Sequence, residues 1–363
     1  VAPGRVNVIG EHVDYNGGWV LPAAIDLHTV MIARPRPDRR VRLQSTAYNE
    51  QVEFSLDAIP KDGDWTRYVC GVLAGLLERN YALCGFDAYI DSTIPVGGGL
   101  SSSAALEAAT ALLALRLADV SDQPDRMELA RLCQKAEHIY AGVPCGIMDQ
   151  AAVLNCQKGH LLLLDCQSET FQHAPFASDE WELMIINSKV AHELASGEYG
   201  KRRAACHEAA SLLDHESLRA IDMDSLHEAL QLPSLTEEMR RCVRHVITEN
   251  DRTLRTVEAF AAGNFEAAGE LLNVSHASLR DDYRVSCCEL DFIAAHLSVR
   301  PEVAGCRMTG GGFGGSCVAL VRSAAVALLT DSISFAYHEK FGIEPDIYTT
   351  APENGAVVLS LKS

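Results

Sequence analysis

No two of the chain's 12 cysteines are spaced as C-x-x-C, and none stands beside histidines at zinc-ligand spacing. That scatter argues against a structural zinc module and a disulfide framework. It suits small core residues in a reducing cytoplasm, the expected location. Long apolar runs are missing too. The richest stretch, residues 104–120, is broken by Glu107, Arg116 and Asp119, so no membrane span is expected, and no secretory signal either. Positive charge is scarce. Lys and Arg number 31 against 49 Asp and Glu, a formal charge of −18, which disfavours nucleic acid or an anionic membrane as the main partner. The first residue is Val1 rather than Met, already inside a strand-like run, and a preceding segment is expected.

What is present is 363 residues with 48% apolar content, enough for two domains, each with its own core. Residues 1–47 read as strands, with a hairpin about Asn16-Gly17-Gly18. Helical periodicity marks 65–79, 101–118, 127–140 and 147–155, and strand patterns mark 86–90 and 160–164. A strand at 181–186 opens a second half rich in helices, from 199 to about 297. Strands near 303 and at 317–321, a helix at 324–337 and two final strands, 346–350 and 356–361, are expected after it. Strands and helices mix without regular βαβ alternation, so the class is α+β. The polar stretch 167–180 lacks periodicity and places the boundary between domains 1–175 and 176–363.

Two segments carry chemistry. In Gly4-Arg5-Val6-Asn7-Val8-Ile9-Gly10-Glu11-His12-Val13-Asp14-Tyr15-Asn16, an apolar strand runs into three polar side chains within four positions. A turn after a strand aims such groups at one object, and carboxylates with an imidazole suit a ligand rich in hydroxyls. A plain polar turn is the competing reading. Arg5 adds a permanent positive charge that suits developing negative charge. The second segment, Gly97-Gly98-Gly99-Leu100-Ser101-Ser102-Ser103, enters a helix. Glycines admit a close anion, and the helix start offers unpaired N–H groups and a positive dipole end. Three glycines and three serines exceed what an N-cap needs, so a phosphate cradle is expected. No GK[ST] follows and the loop lacks G-x-G-x-x-G spacing, which argues against a P-loop ATPase or a dinucleotide fold.

These two segments, Arg307-Met308-Thr309 with Gly310 to Gly315, and Cys145-Gly146-Ile147-Met148-Asp149-Gln150 occur in the order found in the GHMP small-molecule kinases, which the chain resembles over residues 2–317. The first motif is similar to the signature of the family's galactose-phosphorylating branch, with Val13 where that branch usually has Thr. Gly197-Glu198-Tyr199 resembles its second sugar contact. The resemblance implies a ribosomal-protein-S5-domain-2-like first domain and a ferredoxin-like second domain with the site between them, the last strands packing back on the first.

It further implies ATP and Mg²⁺, and galactose as the acceptor at its 1-hydroxyl. Asp149 would face the attacking hydroxyl, with Arg5 beside it. Glu11, His12, Val13, Asp14, Gly146 and Tyr199 would bind the sugar. Gly97, Gly98, Gly99, Leu100, Ser101, Ser102 and Ser103 would hold the nucleotide, and Ser103 with Glu137 the Mg²⁺. Trp65 is placed near the adenine, Gly310 to Gly315 as a backbone turn at the site, and Lys201, Arg202 and Arg203 as a solvated helix face. A monomer is expected. Alternatives that stay open are N-acetylgalactosamine or another galactose derivative as substrate, and a sugar- and ATP-binding sensor without activity.

Overall fold

The computed structural model describes residues 1–48, 50–120, 124–191 and 195–360. The chain enters on β1 (Ala2–Asn7), buried at every position, and returns through β2 (Trp19–Val20) into the long β3 (Pro22–Arg36). β4 (Arg40–Ser45), β5 (Glu50–Ser55) and β6 (Gly85–Ser92) complete a sheet of order β1-β3-β6-β4-β5. Only the β4–β6 pairing in it is parallel. Its packed helices are α1 (Thr66–Glu78), α2 (Ser102–Leu117), α3 (Arg126–Ala136) and α4 (Met148–Asn155). α2 is Ala- and Leu-rich and buried around most of its circumference, as a helix sandwiched between neighbours must be. α3 begins with an Asp125–Glu128 capping box and runs straight into a π-helical turn, Glu137–Ala141.

β7 (His160–Asp165) and β8 (Thr170–Pro175) form a small sheet with β2. β9 (Trp181–Ala191) then opens an antiparallel sheet of order β10-β11-β9-β12. α5 (Ala195–Leu212), α6 (Leu226–Leu230), α7 (Glu237–Ala261), α8 (Phe265–Ser278) and α9 (Cys288–Ser298) separate β9 from β10 (Val303–Thr309). β11 (Gly314–Arg322), α10 (Val326–Phe341) and β12 (Asp346–Thr350) follow.

Two expectations differ from this arrangement. The hairpin about Asn16-Gly17-Gly18 is wider than a tight turn. Val8 and Leu21, and Leu21 and Ile9, still exchange backbone hydrogen bonds, so residues 10–18 form an open loop with a 3₁₀ turn at Asp14–Asn16. Over its described residues, 356–360, the strand expected at 356–361 does not form. The first donors there are spent elsewhere: Ala356 N–H reaches the Val153 carbonyl in α4 and Val357 N–H the Val1 carbonyl, while Gly355 N–H, just before them, reaches the Cys156 carbonyl at the end of α4. The tail thus does pack on the first half of the chain, as a cap rather than a strand.

Candidate active site

Residue by residue, the site is built from turns at the ends of these elements. β1 ends just beyond Arg5, and the loop after it carries Glu11, His12 and Asp14. The loop before α2 carries the glycines and serines, the π turn after α3 carries Glu137, and the first turn of α4 carries Asp149. The β10–β11 turn brings Gly310 and Gly311 from far along the chain.

Arg5 and Asp149 meet, 144 residues apart in sequence. Arg5 Nε and Nη2 lie 2.9 and 2.6 Å from Asp149 Oδ1, and Nη1 donates to the Gly99 carbonyl at 2.7 Å. Ser101 Oγ donates to the other oxygen, Oδ2, at 2.7 Å. That bond draws the Ser101 hydroxyl away from the start of α2. Ser101 takes the N-cap position of α2 in a left-handed conformation, φ 60°, and its hydroxyl caps nothing. The first N–H groups of α2 are left for a ligand. Gly97 and Gly99, at φ 77° and 74°, allow the bend that turns the loop this way. Leu100 sends its side chain into the core and contributes its carbonyl, which accepts from Arg5 N–H.

Two cavities flank the pair. One, of about 510 Å³, is lined by Ser102, Ser103, Gly97, Trp65 and Tyr48. The other, of about 350 Å³, is lined by Glu11, His12, Asp14, Cys145 and Gly146. Arg5, Asp149, Gly310 and Gly311 line both, so the pair stands on the boundary. Trp65 donates from its indole to Glu50 and stacks on Tyr48 with ring centroids 5.6 Å apart, a flat aromatic wall in the larger cavity.

Glu11, 2% exposed, spends Oε1 on Thr309 Oγ1 at 2.9 Å and Gly310 N–H at 2.7 Å. The guanidinium of Arg307 stands 3.6 Å away. His12 pairs Nδ1 with Tyr15 OH and Nε2 with the Gly311 carbonyl. Burial above all lowers its pKa to about 3, so the ring stays neutral at physiological pH. Asp14 is pushed up to about 7 by burial and then by the Asp149 charge. A Cβ at Gly146 would fall 1.9 Å from Asp14 Oδ2, so any other residue there would push the Asp14 carboxylate aside. Val13 is a correction: its side chain is fully buried in the apolar core and lines neither cavity, while Glu11, His12, Asp14 and Tyr15 around it line the smaller one. Tyr199 lies on α5 and its side chain is outside the described atoms.

Glu137 is pushed up to about 7, first by burial and then by Asp149. Ser103 Oγ donates to its Oε1 at 3.3 Å. A hydroxyl beside a carboxylate short of positive charge suits a hard divalent cation. Among the described residues no three His, Cys, Asp or Glu side chains cluster around a metal position, so such an ion would depend on phosphate oxygens and water.

Sequence reasoning missed the support beneath the loop that carries Glu11, His12 and Asp14. The buried face of α7 presents His245 to the Glu11 carbonyl at 3.1 Å, Glu249 to Gly10 N–H at 3.1 Å and Asn250 to Trp19 N–H at 2.9 Å. The signal was available: charged and polar residues at helical spacing on one face. Their sign of burial was not. The basic run on α5 is a second correction. Lys201 is exposed, but Arg202 donates to the Tyr283 carbonyl and Arg203 to the Pro144 carbonyl, beside Gly146. Helix packing, not solvation, claims two of the three.

Comparison with known proteins shows the family. Profiles described as "GHMP kinases N terminal domain" and "GHMP kinases C terminal" match residues 67–157 and 256–339. A third, "Galactokinase galactose-binding signature", matches residues 1–35. The galactokinase of Streptomyces coelicolor is 43% identical over 98% of this chain and 92% of its own length. The chain belongs to the galactokinases, within the GHMP kinases. The Homo sapiens galactokinase is 42% identical over 99% of this chain and 92% of its own. The crystal structure of Lactococcus lactis galactokinase complexed with galactose superposes with a TM-score of 0.94 at 36% identity, covering 99% of this chain and 94% of that one. A mevalonate kinase structure, at 20% identity and a TM-score of 0.67, shares the fold alone.

In this galactokinase-family chain the α7 support has a pH signature. Burial alone would raise the pKa of Glu249, but Arg252, His245 and Arg307 outweigh it and hold the carboxyl at about 2. Its stabilising contribution is therefore complete above its ordinary value of 4.5 and is lost as pH falls towards 2. That shift corresponds to about 3 kcal/mol. Glu249→Ala, which strands Arg252 and Gly10 N–H, is expected to cost roughly 3–5 kcal/mol in urea denaturation at pH 7. The deficit should narrow below pH 4, and a cost under about 1 kcal/mol would refute the anchoring role.

Proposed function

We propose that the chain phosphorylates galactose, transferring the γ-phosphoryl group of ATP to the anomeric 1-hydroxyl and releasing galactose 1-phosphate, ADP and a proton. The observation that carries this reading is the Arg5–Asp149 pair on the boundary of two cavities. The smaller, ringed by Glu11, His12 and Asp14, suits a polyhydroxylated acceptor. The larger, with the serine loop at one end and Trp65 and Tyr48 at the other, suits a nucleoside triphosphate. The family name and the galactose signature at residues 1–35 support galactose as the acceptor.

In this reading Asp149 accepts a hydrogen bond from the 1-hydroxyl, orients its oxygen toward the γ-phosphorus and takes the proton as the new P–O bond forms. Arg5 keeps Asp149 ionised and faces the negative charge spreading over the phosphoryl oxygens. Ser101 holds the second oxygen of Asp149, so the carboxylate presents one fixed edge. Backbone N–H groups of α2 and the hydroxyls of Ser102 and Ser103 hold phosphate oxygens, while Leu100 contributes its backbone. Ser103 and Glu137 would hold Mg²⁺, which when bound offsets phosphate charge. Glu11, His12 and Asp14 accept and donate hydrogen bonds at the sugar hydroxyls, with Tyr199 proposed on the α5 side. The motifs for both substrates fall in a first domain, 1–175, and the second, 176–363, supplies α7 and the Gly310 turn. A cytoplasmic monomer completes the proposal.

Asp149→Asn is expected to lower kcat at least about 100-fold, read by ADP release, while calorimetry still detects galactose binding. Near-normal turnover would remove Asp149 from the chemistry. Gly146→Ala should displace Asp14 and weaken galactose binding by roughly tenfold or more, about 1.4 kcal/mol, with nucleotide binding unchanged. Turnover of N-acetylgalactosamine above that of galactose would overturn the acceptor assignment.

A further inference from the structure

Behind Glu137, lining neither cavity, stand two fully buried polar side chains. Gln150, on α4 next to Asp149, donates from Nε2 to Glu137 Oε2 at 2.6 Å and to Glu107 Oε2 at 3.2 Å. Glu107 is on α2, otherwise apolar at its buried positions apart from Thr110. Its remaining oxygen has no hydrogen-bond partner among the described residues. Burying a carboxyl so incompletely satisfied is costly, and Leu at this position would pack with the neighbouring alanines at no such cost.

The geometry shows what the pair does. Glu137 opens a π-helical turn, a rare geometry found often at functional sites. Its Oε1 faces Ser103 and its Oε2 faces Gln150, so the plane of the carboxylate is pinned from behind. The amide of Gln150 has two N–H donors on one nitrogen. With a carboxyl oxygen before each of them, only one orientation of the amide serves; flipped, it would aim a carbonyl at Glu137. Glu107 therefore sets the amide, and the amide sets Glu137.

We propose that Glu107 and Gln150 are a positioning pair that holds Glu137 Oε1 toward the divalent cation shared with Ser103 and the nucleotide phosphates. The proposal rests on the cation reading above. It also ties the cation ligand to the reacting carboxylate, because Asp149 and Gln150 are consecutive residues in the first turn of α4.

Mn²⁺ binding in the presence of a non-hydrolysable ATP analogue, followed by the electron paramagnetic resonance of free Mn²⁺, tests it without turnover. Gln150→Leu and Glu107→Leu are expected to weaken Mn²⁺ binding by about tenfold or more. Glu107→Gln, which keeps a carbonyl acceptor before the amide, should bind Mn²⁺ close to the unaltered protein. Galactose binding by calorimetry should be unchanged in all three. Should Gln150→Leu fail to fold, Gln150→Asn retracts the amide by one methylene and is expected to show the same weakening. Unaltered Mn²⁺ binding in the Gln150 variant overturns the proposal. Equal weakening in Glu107→Leu and Glu107→Gln overturns the part given to Glu107. Glu137→Ala separates the two levels. If it leaves Mn²⁺ binding intact, the cation reading falls and the pair with it; if it alone weakens binding, only the pair falls.

Discussion

The guanidinium of Arg5 and the carboxylate of Asp149 make a partly buried ion pair that neither β1 nor α4 could form alone. Arg5 is only 5% exposed, so its charge must be matched, and the match is spread over Asp149 and the Gly99 carbonyl. Such a pair is more demanding in geometry than generous in stability. Its value lies in what it brings into register: the edge strand of the first sheet, the serine loop before α2 and the first turn of α4. Ser101, diverted from capping its own helix, completes the knot. Each of the two cavities takes part of its wall from that knot, which explains why they adjoin there.

A second layer of constraint comes from the other half of the molecule. The loop carrying Glu11, His12 and Asp14 has little regular structure of its own, and α7 holds it by three polar side chains that bond to backbone groups. From the opposite side the β10–β11 turn gives Thr309 and Gly310 to Glu11 and the Gly311 carbonyl to His12. Glu11 and His12 are thus held by elements more than 200 residues away in sequence, and positioning costs little when a ligand arrives. The functional side chains sit on turns, but the turns are not loose.

Much of the site was legible because its residues are contiguous in short motifs. Gly97 to Ser103, Glu11 to Asp14 and Cys145 to Gln150 each announce themselves by an unlikely concentration of one residue type or by family likeness. Strand and helix positions followed from periodicity, and the strand expected at 346–350 coincides with β12. What periodicity does not encode is whether a charged helix position meets water or another side chain. Glu107, Glu249 and Arg202 look on paper like solvated residues, and each is buried against a partner brought by the fold. The tail was misread for a similar reason: alternating Val and Leu suggest a strand, yet a strand needs a free neighbouring edge, and here the first backbone donors go singly to Val153 of α4 and to Val1.

That last feature reaches further than the terminus it describes. α4 has eight residues, about 12 Å of helix, with Asp149 in its first turn and its carboxyl end gripped by residues 355 and 356. So short a rod has almost no compliance of its own. It is held at both ends at once, by Arg5 and Ser101 on the Asp149 carboxylate and by the tail on the last turn, so the two halves of the chain share the task of fixing it.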